Sequence, residues 1–170
     1  KELLAKVPKE QDYLTTSCCP SFLKLINQQF PAIKENASSL VSPMVAIAKG
    51  LKYKYPNKKI IFIGPCIAKK EEALNYQVID AVLTFEELGS IFVGAGINLV
   101  DLEEYNNKRL ISDAGRTFGR SGGLVRAVKG SLEKINTDKK INTIQAEGLK
   151  DCIKTLNLAQ AGHYSNSFIE

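Results

Sequence analysis

Short apolar runs alternate with longer amphipathic segments along this chain. The run Lys59–Ile63 (KIIFI) follows a Pro-Asn turn and is almost wholly apolar, which predicts a strand buried on both faces. Each candidate strand is followed by a segment with helical periodicity, an order typical of parallel sheets. The other strand candidates are Asp80–Leu83, Lys108–Ser112 and Ile141–Gln145.

Capping residues mark the ends of several predicted helices. Ser42 followed by Pro43 predicts a helix start, because proline is favoured at the first helical position. Thr84 and Glu87 have the spacing of a capping box, and their helix is predicted to run through Phe92. We therefore predict an α/β fold with largely parallel sheets flanked by helices. Further helices are predicted at Ser21–Phe30, Leu124–Leu132 and Leu149–Ala161, the last one stopped by Gly162.

Composition narrows the possible functions. The 170 residues are 44% hydrophobic, enough for a sizeable core that two small lobes share. The net charge is +5, but the lysines are dispersed, which argues against nucleic-acid binding. No apolar run is long enough to cross a bilayer and no signal-like segment is present, so we expect a cytoplasmic protein without membrane association. Because the first residue is Lys1, we expect a piece of a longer protein.

The first candidate for chemistry is the stretch Thr15–Ser21 (TTSCCPS), in which Cys18 and Cys19 lie among small hydroxyl residues. The two cysteines directly precede a proline and a predicted helix. Free amides and the dipole at a helix start lower the pKa of a nearby thiol. Either this pair binds a metal or performs redox chemistry, or both thiols are small buried hydrophobic groups.

The second candidate is the stretch Gly64–Glu72 (GPCIAKKEE). Cys66 follows a predicted buried strand, and ligands of α/β sheets bind at the carboxyl ends of strands. Lys69 is three residues further on, where its cation would stabilise a thiolate or an anionic ligand. The alternative is a core cysteine followed by a solvated run of charges.

The third candidate is the stretch Gly115–Gly123 (GRTFGRSGG), which is predicted to be a glycine-rich turn. Its glycines permit a close approach of the backbone to a ligand and leave amides free at the next helix. A phosphate-binding loop is the competing interpretation. The glycine spacing, however, matches neither G-x-G-x-x-G nor the Walker pattern.

The remaining cysteine and the single histidine are predicted to be structural. Cys152 shares a helical face with Leu149 and Leu156, so we expect it in the core. His163 is the only histidine, which argues against a Ser-His-Asp arrangement and excludes a His-rich zinc site. Thiolate ligands without histidine favour iron–sulfur chemistry over zinc at a site formed by the other three cysteines.

Together the three stretches resemble the signature motifs of the [FeFe]-hydrogenase catalytic domain. TSCCP at Thr16–Pro20 resembles the first motif, and PCIAKKEE at Pro65–Glu72 resembles the second, a P-C-x-x-K-x-x-E pattern. GRTFGRSGG resembles the glycine segment of the family, which ends in F-G-x-x-G-G. The motifs occur in the family's order. The resemblance implies that residues 1–170 are part of a two-lobed domain that holds an H-cluster, in which a [4Fe-4S] cluster is joined to a di-iron subsite.

The resemblance also implies a role for individual residues. Cys19 and Cys66 would each ligate the [4Fe-4S] cluster. Cys18 would lie beside the di-iron subsite as the proton donor and acceptor, and Lys69 would donate a hydrogen bond to a cyanide on the distal iron. The residues that would line the di-iron pocket are Phe118 and Gly119.

Two departures from the family pattern affect the predicted activity. Gly64 stands where well-known hydrogenases have methionine, as in the divergent sensory members of the family. The third motif begins Phe-x-Glu and contributes two more cysteines, and here only Phe168–Glu170 matches it. Compared with the family pattern, we also expect the first part of one lobe and the ferredoxin-like clusters to lie outside this sequence. We therefore expect a partial domain that folds but lacks a complete H-cluster and activity.

Three functions follow as hypotheses. The first is a part of an oxidoreductase that reversibly oxidises hydrogen under anaerobic conditions, with electrons carried by a ferredoxin-like protein or by attached iron–sulfur domains. The second is a module that senses hydrogen or redox state and turns over little, attached to a signalling domain; Gly64 favours it. The third is a module that binds a nucleotide through its glycine segment.

Overall fold

The computed structural model describes residues 1–103, 113–135 and 139–170. The strand predicted at Lys108–Ser112 lies outside this part of the chain. The helices in the described residues are α1 (Glu2–Lys6), α2 (Pro20–Gln29), α3 (Pro43–Lys54), α4 (Ala68–Tyr76), α5 (Phe85–Gly94), α6 (Asp113–Thr117), α7 (Gly123–Lys134) and α8 (Gly148–Gln160), with short 3₁₀ helices at Pro31–Asn36 and Leu99–Asp101. The strands are β1 (Tyr13–Thr15), β2 (Ile61–Ile63), β3 (Ala81–Leu83), β4 (Asn142–Ile144) and β5 (Ser167–Ile169).

The chain divides into two compact units. Unit 1 comprises Lys1–Ser17, Phe22–Ser39 and the described part of 107–170. Unit 2 comprises Cys18–Ser21 and the described part of 40–106. Every strand pair among the described residues is parallel, which confirms the predicted α/β class.

The sheet of unit 1 has the order β1-β5-β4, so β5 is its central strand. Along β1 and β5 the side chains alternate between two clusters. Tyr13 and Ile169 pack with residues of α2 and α8, whereas Leu14 and Phe168 pack with residues of α1 and α7. Because successive residues of a strand point to opposite faces, these clusters cover the two faces of the sheet. Unit 1 is therefore a helix–sheet–helix sandwich.

Helix α8 supplies part of the larger core cluster of unit 1. Leu156 is fully buried in it, and Cys152 is half-buried against it, which confirms the predicted structural place of this cysteine. Leu149 was predicted to share this buried face, but it is 66% exposed in the first turn of the helix. Gly162, which follows α8, has a φ of +78°, as expected for a glycine that ends a helix.

Unit 2 contains the parallel pair β2–β3 with α3 and α4 packed against it through residues such as Val45 and Ala73. The prediction that β2 is buried on both faces is wrong, because Ile61 and Ile63 are 55% and 43% exposed. Phe62, on the opposite face, packs against the core cluster. Among the described residues, the face of β2 that carries Ile61 and Ile63 is therefore left uncovered.

The helix starts predicted from capping residues are confirmed. The Ser42 hydroxyl accepts a hydrogen bond of 3.3 Å from the amide of Val45 at the start of α3. At the start of α5, Thr84 and Glu87 form the reciprocal bonds of a capping box. Helix α5 continues two residues beyond Phe92, to Gly94. No helix among the described residues is both long and apolar enough to span a membrane.

The turn within the glycine segment is shorter than the composition of the segment predicts. Helix α6 occupies Asp113–Thr117, and the reversal is confined to the residues between Phe118 and Gly122. Gly115 lies within the helix, where glycine is tolerated at a cost of about 1 kcal/mol relative to alanine. The number of glycines therefore overstated the length of the turn.

Candidate functional site

Cys18 and Cys19 directly precede α2 and belong to unit 2. Cys18 is half-buried and Cys19 is exposed. The alternative in which both thiols are buried hydrophobic groups is therefore wrong for Cys19. All four cysteines lie in the described residues, and none of them forms a disulfide.

Cys66 lies between the end of β2 and the start of α4, also in unit 2. The amide of Gly64 donates a 3.1 Å hydrogen bond to Leu83, which continues the pairing with β3 past the end of the strand. The carbonyl of Cys66 accepts a 3.2 Å hydrogen bond from the amide of Lys69. Backbone bonds thus hold the residues on both sides of the half-buried Cys66 thiol.

Lys69 connects the two cysteine stretches. Its Nζ donates a hydrogen bond of 2.8 Å to the carbonyl oxygen of Cys18. The same atom donates one of 2.7 Å to Oε2 of Glu72, one helical turn further along α4. The Lys69 and Glu72 side chains are only 15% and 9% exposed, so the ion pair is largely desolvated. The structure therefore brings the backbone of the first motif to the cation of the second.

Glu72 is a residue of this site to which the sequence interpretation gave no role. Its carboxylate is buried and is neutralised by Lys69. The spacing of Lys69 and Glu72 could have predicted this ion pair, because side chains three positions apart are neighbours on a helix. In this chain, the glutamate of the P-C-x-x-K-x-x-E pattern thus holds the ammonium group of the lysine in place through an ion pair.

The ring of Phe62 fills the space beside Gly64. A Cβ atom at position 64 would lie 2.8 Å from Cε1 and 3.1 Å from Cζ of Phe62. Contacts between real Cβ atoms and other atoms are essentially never this short, so a side chain at position 64 requires the ring to move. The space that a Cβ atom at position 64 would need is therefore occupied by an aromatic ring two residues upstream.

Phe118 and Gly119 follow α6 in unit 1, where Phe118 is half-buried and Gly119 is exposed. The first amides of α7, which follow this turn, are already hydrogen-bonded and are not available to bind a phosphate. Those of Leu124 and Val125 donate hydrogen bonds of 3.3 and 2.8 Å to the carboxylate of Glu170. This occupancy counts against the nucleotide-binding alternative, which needs those amides.

The donor set of unit 2 suits iron–sulfur chemistry in kind, since Cys19 and Cys66 offer soft thiolates. A [4Fe-4S] cluster takes four such ligands. Within the described ranges, no three His, Cys, Asp or Glu side chains are close enough together to hold a metal ion. These residues therefore fit part of a cluster site, and the remaining ligands are not found among them.

Comparison of the sequence with models of protein families identifies the family of this chain. The family model described as "Iron only hydrogenase large subunit, C-terminal domain" matches residues 1–170, the whole of the sequence. The chain belongs to this family. The family predicted from the three motifs is thereby confirmed, and membership implies the iron–sulfur H-cluster that characterises iron-only hydrogenases.

Two curated hydrogenases match most of the chain. Iron hydrogenase 1 of Clostridium pasteurianum is 28% identical over 163 residues, which are 85% of this chain and 28% of that protein. The periplasmic [Fe] hydrogenase large subunit of Nitratidesulfovibrio vulgaris is 33% identical over 143 residues, or 74% of this chain and 34% of that one. The chain spans about a third of the length of these relatives.

Solved structures of the family have the same fold. The apo [FeFe]-hydrogenase HydA1 of Chlamydomonas reinhardtii, variant C377H, superposes with a TM-score of 0.72 at 22% identity. The superposition covers 99% of this chain and 62% of that one. The predicted fold class is thus confirmed.

Proposed function

We propose that this chain supplies part of the H-cluster site of a protein that interconverts hydrogen with protons and electrons. Cys19 and Cys66 are its thiolate ligands for the [4Fe-4S] cluster, and Cys18 is its proton donor and acceptor. Lys69 is the cation that faces the anionic ligands. The observation that carries this proposal is the 2.8 Å hydrogen bond from Lys69 to the backbone of Cys18, which brings two of the motifs together.

Lys69 is suited to orient an anionic ligand because its ammonium group is held in place. An ammonium group has three N–H donors. Within the described residues two of them are engaged, by Cys18 and by Glu72. The direction of the third N–H group is set by the two that are engaged, and this group is available to an anionic ligand. Desolvation strengthens such a charge-assisted hydrogen bond.

Cys18 is suited to hold and release a proton. Its thiol is half-buried and lies two residues before α2, close in sequence to the start of a helix. The bound cluster would supply the electrons that reduce the proton. The resemblance assigns Phe118 and Gly119 to the lining of the di-iron subsite.

The partners and location of the protein are further parts of the proposal. Its electrons come from a ferredoxin-like carrier or from attached iron–sulfur domains, and its substrates are hydrogen and protons. We place the protein in the cytoplasm of anaerobic cells, and assign it no nucleic-acid or membrane partner.

The ligand roles can be tested by anaerobic reconstitution of the chain with iron and sulfide. We expect Cys19→Ser and Cys66→Ser each to lower bound iron, whereas Cys152→Ser, a thiol packed against the core of unit 1, leaves it unchanged. Iron and sulfide analysis with visible absorption measures the result. Iron binding that is unaffected by both substitutions would reject the ligand assignment.

The chain alone is expected to be inactive, since two thiolates do not complete a four-iron cluster. The same reconstitution tests this expectation through the stoichiometry of bound iron. Substoichiometric, easily chelated iron and no hydrogen production agree with it. A stable cluster of four irons per chain would contradict it.

The second candidate function is sensing of hydrogen or redox state with little turnover. Gly64, which stands where well-known hydrogenases have methionine, is the residue that favours it. The longer protein, loaded with its cluster, should then change its spectrum on exposure to hydrogen while producing hydrogen slowly. Fast turnover would favour the enzyme instead.

A further inference from the structure

The carboxylate of Glu170 takes the place of a missing helix cap. Helix α7 begins after Gly122, an N-cap residue that has no side-chain oxygen. The amides of Leu124 and Val125 nevertheless have an acceptor, because Oε1 and Oε2 of Glu170 lie 3.3 and 2.8 Å from them. A residue 45 positions away in sequence from Val125 thus performs the task of a local cap.

The remaining amide of the first turn is also satisfied. The amide of Gly123 donates a 2.8 Å hydrogen bond to the carbonyl of Arg120, and that of Arg126 begins the helical pattern by donating to Gly122. The amides of Gly123, Leu124, Val125 and Arg126 therefore all have acceptors. Without Glu170, two of these donors, the amides of Leu124 and Val125, would lose their acceptors.

The backbone of Glu170 is itself fixed at the end of the sheet. Its amide donates a 2.9 Å hydrogen bond to Ile144, and its carbonyl accepts one of 2.8 Å from Ala146. The residue between these two partners, Gln145, packs against Gly122, where a Cβ atom would lie 2.6 Å from its Nε2. The ends of β4 and β5 thus both support the glycine segment.

The start of α7 is in turn packed against the turn that precedes it. A Cβ atom on Gly123 would lie 2.2 Å from the carbonyl oxygen of Thr117 and 2.8 Å from that of Phe118. These are backbone atoms, which move only with the whole turn. Any displacement of the first turn of α7 is therefore transmitted to Phe118 and the adjacent Gly119.

We propose that Glu170 is a positioning residue that anchors the glycine segment to the end of the central strand β5. The anchor follows from contacts within unit 1 alone. That it also sets the di-iron pocket, through Phe118 and Gly119, rests on the proposed function. Glu170 directly follows β5, so this strand and the glycine segment are joined at the edge of the sheet where ligands of α/β folds bind.

Amide NMR and hydrogen exchange on the purified chain test the anchor. In Glu170→Ala, we expect the Leu124 and Val125 amides to exchange at least tenfold faster and their proton resonances to move upfield. Glu170→Gln keeps a single acceptor oxygen and should rescue only one of the two amides. Trypsin should also cleave after Arg120 several-fold faster in Glu170→Ala.

The control is Glu147→Ala, which removes an exposed acid at the N-cap of α8 that makes no side-chain capping bond. It should leave both amides unchanged. Unchanged exchange and resonances of Leu124 and Val125 in folded Glu170→Ala or Glu170→Gln would overturn the anchor. Because these signals need no iron, they are independent of the ligand test on Cys19 and Cys66, so the anchor and the proposed function can fail separately.

Discussion

Lys69 Nζ lies 2.8 Å from the carbonyl oxygen of Cys18, a residue 51 positions earlier in the sequence. The acceptor is a backbone atom, so the contact depends on the path of the chain at Cys18 and on the side chain of Lys69 alone. The same ammonium group donates a hydrogen bond to the carboxylate of Glu72. Substitution of Glu72 therefore tests whether this ion pair stabilises the buried position of Lys69.

Loss of one partner from the Lys69–Glu72 pair should destabilise unit 2. Both side chains are largely buried, so Glu72→Leu leaves a desolvated ammonium without its counter-ion, at a cost of about 3 kcal/mol. Lys69→Met/Glu72→Leu should cost less than Glu72→Leu alone, because it leaves no buried charge. Urea unfolding of the single and double variants measures the difference. Additive losses would mean that the two charges are not coupled.

The neighbouring pair Lys70–Glu87 provides the matched control. Its side chains are 40% and 43% exposed, and pairs of this kind contribute about 0–1 kcal/mol. Lys70→Met should therefore change the free energy of unfolding far less than Lys69→Met does. Equal losses at the two adjacent lysines would contradict the burial argument.

A side chain at position 64 should be tolerated only when Phe62 is made smaller. Gly64→Ala forces the ring of Phe62 to move and should cost about 1–2 kcal/mol. In a Phe62→Leu background, the same substitution should cost less, and thermal or urea unfolding of the four proteins gives the coupling energy. Gly89→Ala is the control, since nothing lies within 4 Å of its Cβ in α5, and it should stabilise by about 0.5–1 kcal/mol.

The carboxylate of Glu2 makes the free energy of unfolding of unit 1 decrease as the pH becomes acidic. Burial alone would raise the pKa of its carboxyl, but hydrogen bonds from Ser38 and Ser39 and the ammonium of Lys6 outweigh it and lower the pKa from 4.5 to about 2. The depressed pKa contributes stability above the unfolded value, and this stability is lost as pH falls from 4.5 toward 2.

The contribution of Glu2 is on the order of 2 kcal/mol after allowance for solvent screening. Urea unfolding at pH 7 and at pH 3 measures it. The difference in unfolding free energy between the wild type and Glu2→Gln should shrink as the pH is lowered. A difference that stays constant over this range would show that the carboxylate does not carry the effect.

The sequence predicted the elements whose signals are local. The caps at Ser42 and Thr84 and the glycine at Gly162 are set by neighbouring residues, and the structure has the helices that they predict. Cys152 was placed in the core by its helical spacing. These signals lie within a few residues of the feature they define.

The elements that the sequence did not predict depend on distant residues. Strands β1 and β5 have three residues each, and β5 lies in a mostly polar stretch, so neither shows a recognisable period. They are strands because they pair with each other through Leu14 and Phe168 and bury both faces. The burial of Ile61 and Ile63 was wrongly predicted for the same reason, since an apolar run does not reveal whether another element covers it.

Position 123 requires glycine because of backbone packing, and its substitution gives the last prediction. A Cβ atom there would lie 2.2 Å from the carbonyl oxygen of Thr117, and no side-chain rotation relieves a backbone contact. We expect Gly123→Ala to destabilise unit 1 by about 3 kcal/mol, more than typical point substitutions do. Gly130→Ala, in the same helix with nothing within 4 Å, should stabilise by about 0.5–1 kcal/mol. Urea unfolding of the two variants compares them directly, and equal stabilities would mean that the turn at Thr117 and Phe118 yields to the new side chain without cost.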